Sequence, residues 1–237
     1  MEWRDEGFVL AARRHGESDR VLSALTREHG RHAGLIRGGG GRRQAGLYEI
    51  GNRLTLRWRA RLPEHLGSFG CEMLDQALAE LLDDPMRLAA LASAAAVAEG
   101  ALPEREPHPR AFEGFAGLLA ALRGAGGLLS WAERYVRWEL DLLAELGFGL
   151  DLARCAVSGA TTDLAYVSPA SGRAVSRGAA GAHRDRLLTL PAFLLGGEAD
   201  LASLRQGLAL TGSFLERHAL ARLPPARARL LARLERA

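Results

Sequence analysis

Residues 31–61 read RHAGLIRGGGGRRQAGLYEIGNRLTLRWRAR. Within them residues 53–59 alternate strictly, with Leu54, Leu56 and Trp58 on one side and Arg53, Thr55, Arg57 and Arg59 on the other. A period of two is that of a strand buried on one face, so the leucines and the tryptophan turn inward and a row of guanidinium groups lines the outside. Residues 31–36 form another apolar run of strand length. Between the two runs, glycines 38–41 followed by Arg42 and Arg43 make a loop with too little steric restriction to hold one conformation unaided. The tract carries eight arginines (31, 37, 42, 43, 53, 57, 59 and 61) against one acid, Glu49, in a chain whose formal net charge is only +3. Its positive charge is therefore a local feature.

Working outward, GFVLAAR (7–13) and DRVLSALTR (19–27) read as strands separated by a turn at His15, Gly16, Glu17 and Ser18. Glu28, His29 and Gly30 make the next turn, and GSFGCEML (67–74) offers a fifth strand. Five short strands with one long glycine-rich connection suit a small, partly open barrel of the OB type, and an SH3-like barrel fits the pattern nearly as well. Beyond residue 74 the period changes. Asp83 and Asp84 before Pro85 supply an N-cap with proline at the first helical position, and an alanine- and leucine-rich run follows to residue 99. Phe112, Phe115, Leu118, Leu119 and Leu122 are spaced as one helical face, and Trp131, Tyr135, Trp138 and Leu142 as another, which Gly147 stops. Residues 148–190 lose the helical stripe and read as turns and short hairpins. Helical spacing returns at 191–195, 200–207, 210–220 and 225–236, and these last helices are expected to pack on residues 85–146.

The fold class is thus α+β and multidomain: a barrel at 1–78, a helical domain in two parts (79–147 and 191–237), and an insertion at 148–190. Hydrophobic residues make up 48% of the 237, and no apolar run approaches the roughly 20 residues that cross a bilayer. Acids stand in the first residues where a signal peptide carries basic ones, so a cytoplasmic protein is expected. Two cysteines, Cys71 and Cys155, are too few for a disulfide framework and too far apart for a metal pair.

All 31 basic residues are arginine, which removes the Walker A lysine and Schiff-base chemistry. HExxH, GxSxG and GxGxxG are absent, and His183, Arg184 and Asp185 lack the asparagine and the other motifs of a kinase catalytic loop. The seven histidines are scattered without ligand spacing. No enzymatic activity, metal or cofactor is expected. The chemistry that remains is electrostatic. Arg37, Arg42, Arg43, Arg53, Arg57 and Arg59 are the candidate phosphate contacts, with Trp58, Tyr48 and Phe69 as candidate stacking surfaces for bases. Trp58 shares a face with Leu54 and Leu56, which favours a place in the core. A purely solvated arginine face, with no ligand, fits the same residues.

Two longer stretches carry a resemblance. EGFVLAARRHGESDRVLSALTREHG (6–30) and LGFGLDLARCAVSGATTDLAYVSPASGRAVSR (146–177) resemble the opening and the carboxy-terminal part of the RecO family of recombinational repair proteins, in the same order. The resemblance implies an N-terminal OB-fold, a helical domain and a small zinc-ribbon-like element. It also implies binding of single- and double-stranded DNA, annealing of complementary strands, and partnership with RecR and with the C-terminal tail of SSB in loading RecA. One departure is plain. Where zinc-bearing members have CxxC pairs, this chain has Cys155 with Ser158 and Ser176 with Ala179, and one thiolate does not make a four-ligand zinc site. The element is expected to persist without metal. A reading of another class is a protein-interaction scaffold, with acidic tails such as that of SSB drawn to Arg222, Arg227, Arg229, Arg233 and Arg236 of the last segment.

Overall fold

The computed structural model describes residues 1–41 and 46–237. Arg42 and Arg43 therefore lie outside the described residues. Two compact units are present, one of Met1–Arg123 with Pro224–Leu230, the other of Gly124–Leu223 with Leu231–Ala237. Residues 79–123, assigned from sequence to a helical domain, group with the barrel.

The first unit is built on five strands: β1 (Glu2–His15), β2 (Asp19–Thr26), β3 (Arg31–Ile36), β4 (Arg53–Arg59) and β5 (Ser68–Asp75). They close in the order β1-β2-β3-β5-β4, with β1 paired antiparallel to β4 and β3 parallel to β5 through Leu35 and Ser68. The barrel is thus closed where the sequence pattern suggested a partly open one. Val9, Leu22, Ala24, Ile36, Leu54, Leu56 and Trp58 fill it. Two glycines permit that packing. Gly34 lies under Phe69, where a Cβ would fall 2.4 Å from the ring. Gly30, at φ +67°, turns β2 into β3 and abuts residue 106, where a Cβ would stand 1.9 Å from the Glu106 carbonyl oxygen.

After the single turn α1 (Leu78–Leu81), α2 (Pro85–Ala101) begins as its sequence requires. Pro85 follows the N-cap Asp84, whose side chain accepts from the backbone N–H of Met86 and Arg87, both at 3.0 Å. Next, α3 (Pro109–Arg123) brings Phe112 and Phe115 to Phe8 on the outside of β1, at ring separations of 5.0 and 5.4 Å. Arg123 holds both Asp75 and Glu80. Phe8 shows why β1 is apolar at consecutive residues: Val9 fills the barrel while Phe8 receives the helix.

In the second unit, α4 (Leu128–Glu145) ends before Gly147, whose φ of +86° closes it as the spacing predicts. The two helical segments expected at 200–207 and 210–220 are one helix, α6 (Leu201–His218), started by a capping box between Asp200 and Ser203. Gly207 sits at its contact with α4, where a Cβ would come within 3.0 Å of Val136 and 3.1 Å of Phe193. The Thr211 hydroxyl donates to the fully buried Glu139. Between these helices in sequence, β6 (Leu164–Val167), β7 (Ala174–Ser176) and β8 (Leu188–Thr189) form a small sheet in the order β7-β6-β8, with the short α5 (Arg177–Ala180) between β7 and β8. The chain's last helix is α7 (Pro225–Leu234), whose residues to Leu230 belong to the first unit; Arg227 there is 1% exposed and so is not part of an outward basic face.

The zinc implied by the resemblance does not fit the residues present. Cys155 is buried, and its Sγ accepts from Ser158 N at 3.4 Å, Ser176 N at 3.3 Å and Ser176 Oγ at 3.4 Å. The fourth position is the methyl of Ala179, packed against the same cluster. Hydroxyls and amides now close around the sulfur. Those hydrogen bonds, first from Ser158 and then from Ser176, draw the thiol down to about 6 against the burial that raises it. Among the described residues no three His, Cys, Asp or Glu side chains gather as a metal site.

Candidate nucleic-acid interface

Strand β4 delivers the predicted alternation: Leu54, Leu56 and Trp58 are buried, and Arg53, Thr55, Arg57 and Arg59 point outward. The structure brings Arg53, Arg57 and Arg59 onto one face, flanked by β1 and β5. Register then decides what each arginine meets. Across from β4, Glu2 lies opposite Arg59, Arg4 opposite Arg57, and Glu6 opposite Thr55. On the other side Thr55 faces Glu72 and Arg57 faces Gly70.

The row is accordingly not a free line of guanidinium groups. Glu2 accepts from Arg57 Nε on one carboxylate oxygen and from Arg59 Nε and Nη2, at 3.0 and 2.8 Å, on the other. Bonds from Arg59 and Arg57 hold its carboxyl below the usual range. Glu6 bridges Arg53 and Arg27; burial works to raise its carboxyl, and the two arginines outweigh it. Arg4 lies 3.8 Å from Glu72. Four arginines (Arg4, Arg53, Arg57, Arg59) thus share this face with three acids (Glu2, Glu6, Glu72). The tract 31–61 holds a single acid, and the acids that matter come from β1 and β5.

The arginines also differ from one another. Arg53 is pinned, its guanidinium 5.8 Å from the Phe8 ring centroid and its side chain only 35% exposed. Arg57 and Arg59 are 63% and 65% exposed. Beside them runs an open groove of about 600 Å³ lined by Glu2, Arg4, Thr55, Arg57, Gly70 and Glu72. A smaller hollow of about 170 Å³ lies against Arg57, Arg59, Ser68 and Gly70. Gly70 keeps the floor low, since a Cβ there would meet nothing nearer than Arg57 at 4.0 Å.

Arg37 is not on β4 but near Asp19. It follows the last residue of β3, and the glycines after it are held where the sequence suggested an unfixed loop. Gly38 N donates to Asp19 Oδ1 at 2.9 Å and Gly40 N to the Ser18 carbonyl at 2.8 Å. The bond from Gly38 is the main reason the Asp19 carboxyl is lowered.

The stacking candidates are not available to bases. Trp58, Tyr48 and Phe69 are 2%, 5% and 6% exposed in the barrel core, and Trp58 Nε1 is spent on the Leu66 carbonyl at 3.0 Å. The partly buried Trp3, which sequence reasoning passed over, stacks on His29 at 4.1 Å and on Trp58 at 5.7 Å. Glu2 and Glu6 were missed as well. The opening EWRDEG alternates Glu2, Arg4 and Glu6 with Trp3 and Asp5, and that period was the available signal.

Comparison with known proteins places both halves of the chain. The family model "Recombination protein O N terminal" matches residues 1–76, and "Recombination protein O C terminal" matches residues 82–226. Among curated proteins, the DNA repair protein RecO of Rhodospirillum centenum is 51% identical, over all of this chain and 96% of that protein. That of Cereibacter sphaeroides is 51% identical over the whole of both chains. That of Acidiphilium cryptum is 52% identical over all of this chain and 96% of its own length.

Proposed function

This chain belongs to the RecO family, and on that premise we propose that it is a non-enzymatic mediator of recombinational DNA repair that binds single- and double-stranded DNA through its barrel. It acts in the cytoplasm, anneals complementary strands, and with RecR helps load RecA onto DNA coated by SSB, whose C-terminal tail it binds. We read the barrel as an OB-fold, for which the strand order β1-β2-β3-β5-β4 is the support, and residues 148–190 as a zinc ribbon whose ligands have become hydrogen-bonding serines and a methyl group.

The observation that carries the DNA reading is the convergence of Arg57 and Arg59, both mostly exposed, on one anionic group beside an open groove. Guanidinium forks of this kind take carboxylate and phosphate alike. Contacts to backbone phosphates position a strand without reading its sequence, which suits a protein that anneals any complementary pair. Arg53 takes the supporting role of fixing Glu6. Arg37, in the turn after β3, supplies a further contact, and Arg42 and Arg43 are proposed as contacts from the sequence alone.

The mixing of acids with arginines on the β4 face favours one other reading, a scaffold that binds partner proteins and leaves DNA to them. Fluorescence anisotropy of the isolated protein with a labelled oligonucleotide at moderate salt separates the two. Binding without a partner supports the mediator; its absence supports the scaffold.

A further inference from the structure

The carboxylate of Glu2 occupies the point on which Arg57 and Arg59 converge. Each of its oxygens is taken by a different arginine. A group with two anionic oxygens, bound by two guanidinium groups on an open strand face, has the charge and the donor arrangement of a bound phosphodiester. We propose that Glu2 is the resident counter-ion of a phosphate site: it holds Arg57 and Arg59 in the converging geometry, and nucleic acid engages them by displacing it. This rests on the reading of Arg57 and Arg59 as phosphate contacts and adds how the site is regulated.

Three observations single out Glu2 among the acids of the face. Its side chain is 36% exposed and its arginines 63% and 65%, so the pair is of the solvated kind that is weak and readily exchanged. Glu6, in contrast, is 25% exposed and is locked between Arg27 and Arg53, with Arg27 itself tied to Glu113 on α3. Glu72 stands 3.8 Å from Arg4 and, among the described residues, pairs with no other arginine. The groove and the smaller hollow both open onto Arg57, which Glu2 holds, so a strand lying in the groove reaches it. Glu2 follows as a threshold: an isolated weak anion gains little by replacing a carboxylate already in place, whereas a polyanion with neighbouring phosphates on Arg4 and along the groove gains enough.

The test compares Glu2→Gln with Glu64→Gln, which makes the same charge change at an exposed acid outside these ion pairs. The Arg57→Ala/Arg59→Ala double variant is the third arm. Each is titrated with a labelled mixed-sequence single-stranded oligonucleotide at several salt concentrations, after its melting temperature has been compared with that of the native protein. Glu2→Gln should tighten binding by up to about fivefold at low salt, the range open to an exposed pair. It should also steepen the slope of log K against log salt by about 0.7, the value of one further single-strand phosphate contact. Glu64→Gln should do measurably less on both counts. If the two glutamine variants behave alike while the double alanine variant binds more weakly, the counter-ion proposal is wrong and the phosphate site stands. If the double alanine variant binds like the native protein, the phosphate site itself falls and the proposal with it.

Discussion

Glu2 lies directly opposite Arg59 in the β1–β4 ladder and accepts from its Nε and Nη2 at 3.0 and 2.8 Å. That pairing changes the meaning of the arginine row. A strand face that looks uniformly basic along the chain becomes, across the sheet, one of mixed charge, in which Arg59 faces Glu2 while Arg57 has Arg4 opposite and Gly70 on its other side.

Shape should matter on this face independently of charge. Gly70 has space above it and no positive φ, so Gly70→Thr places a β-favouring side chain on the groove floor beside Arg57 without altering any charge. The variant should melt at or slightly above the native temperature and bind oligonucleotide several-fold more weakly. Native affinity would place the bound strand elsewhere.

The barrel's aromatic interior contains a pH-sensitive group. His32 is 4% exposed among Trp3, Trp58 and Phe69, and neither ring nitrogen has a hydrogen-bond partner among the described residues. Burial first, then the charges of Arg105 and His29, push it down to about 4 from an ordinary 6.5. Between those values the unfolded chain binds a proton that the folded one does not. This contribution to stability is therefore full above pH 6.5 and is lost as pH falls towards 4. Urea midpoints at pH 7 and pH 5 should differ more for the native protein than for His32→Leu. Equal differences would mean that the ring takes up its proton in the fold.

Gly30→Ala should be among the most damaging small substitutions. The added Cβ meets the Glu106 carbonyl oxygen at 1.9 Å in a backbone conformation of φ +67°, and a clash of that kind costs about 3 kcal/mol. Thermal melting reads it out. A loss below about 1 kcal/mol would show that residues 104–108 move aside freely.

Purified protein should carry no stoichiometric zinc, because Cys155 is ringed by Ser158, Ser176 and Ala179 where a tetrahedral site needs ligands. Elemental analysis decides it, and one zinc per chain would overturn this account of residues 148–190.

Much of this was legible in the sequence, and the exceptions have physical causes. Strand β4 is read almost to the residue because a face that must exclude water imposes period two on Leu54, Leu56 and Trp58. Asp84 and Pro85 fix the start of α2 because cap and first helical residue are local chemistry. Gly207 misled in the other direction: it splits an apparent helix, yet it is there to let α6 approach Val136 and Phe193. Tyr48 and Phe69 looked available for stacking because no periodicity marks a single ring that a loop or a short strand folds inward. The pairing of Glu2 with Arg57 and Arg59 joins residues 55 and 57 positions apart. No window along the chain contains it; it exists only once β1 and β4 are in register.

The central claim is that the outer face of β4 binds nucleic acid electrostatically and without regard to sequence. Anisotropy titrations of unrelated oligonucleotides across a salt series, comparing the native protein with Arg57→Ala/Arg59→Ala, address it directly. The double variant should weaken binding to every oligonucleotide by about the same factor and lower the slope of log K against log salt by about one to two. An unchanged slope, or a loss confined to particular sequences, would contradict it.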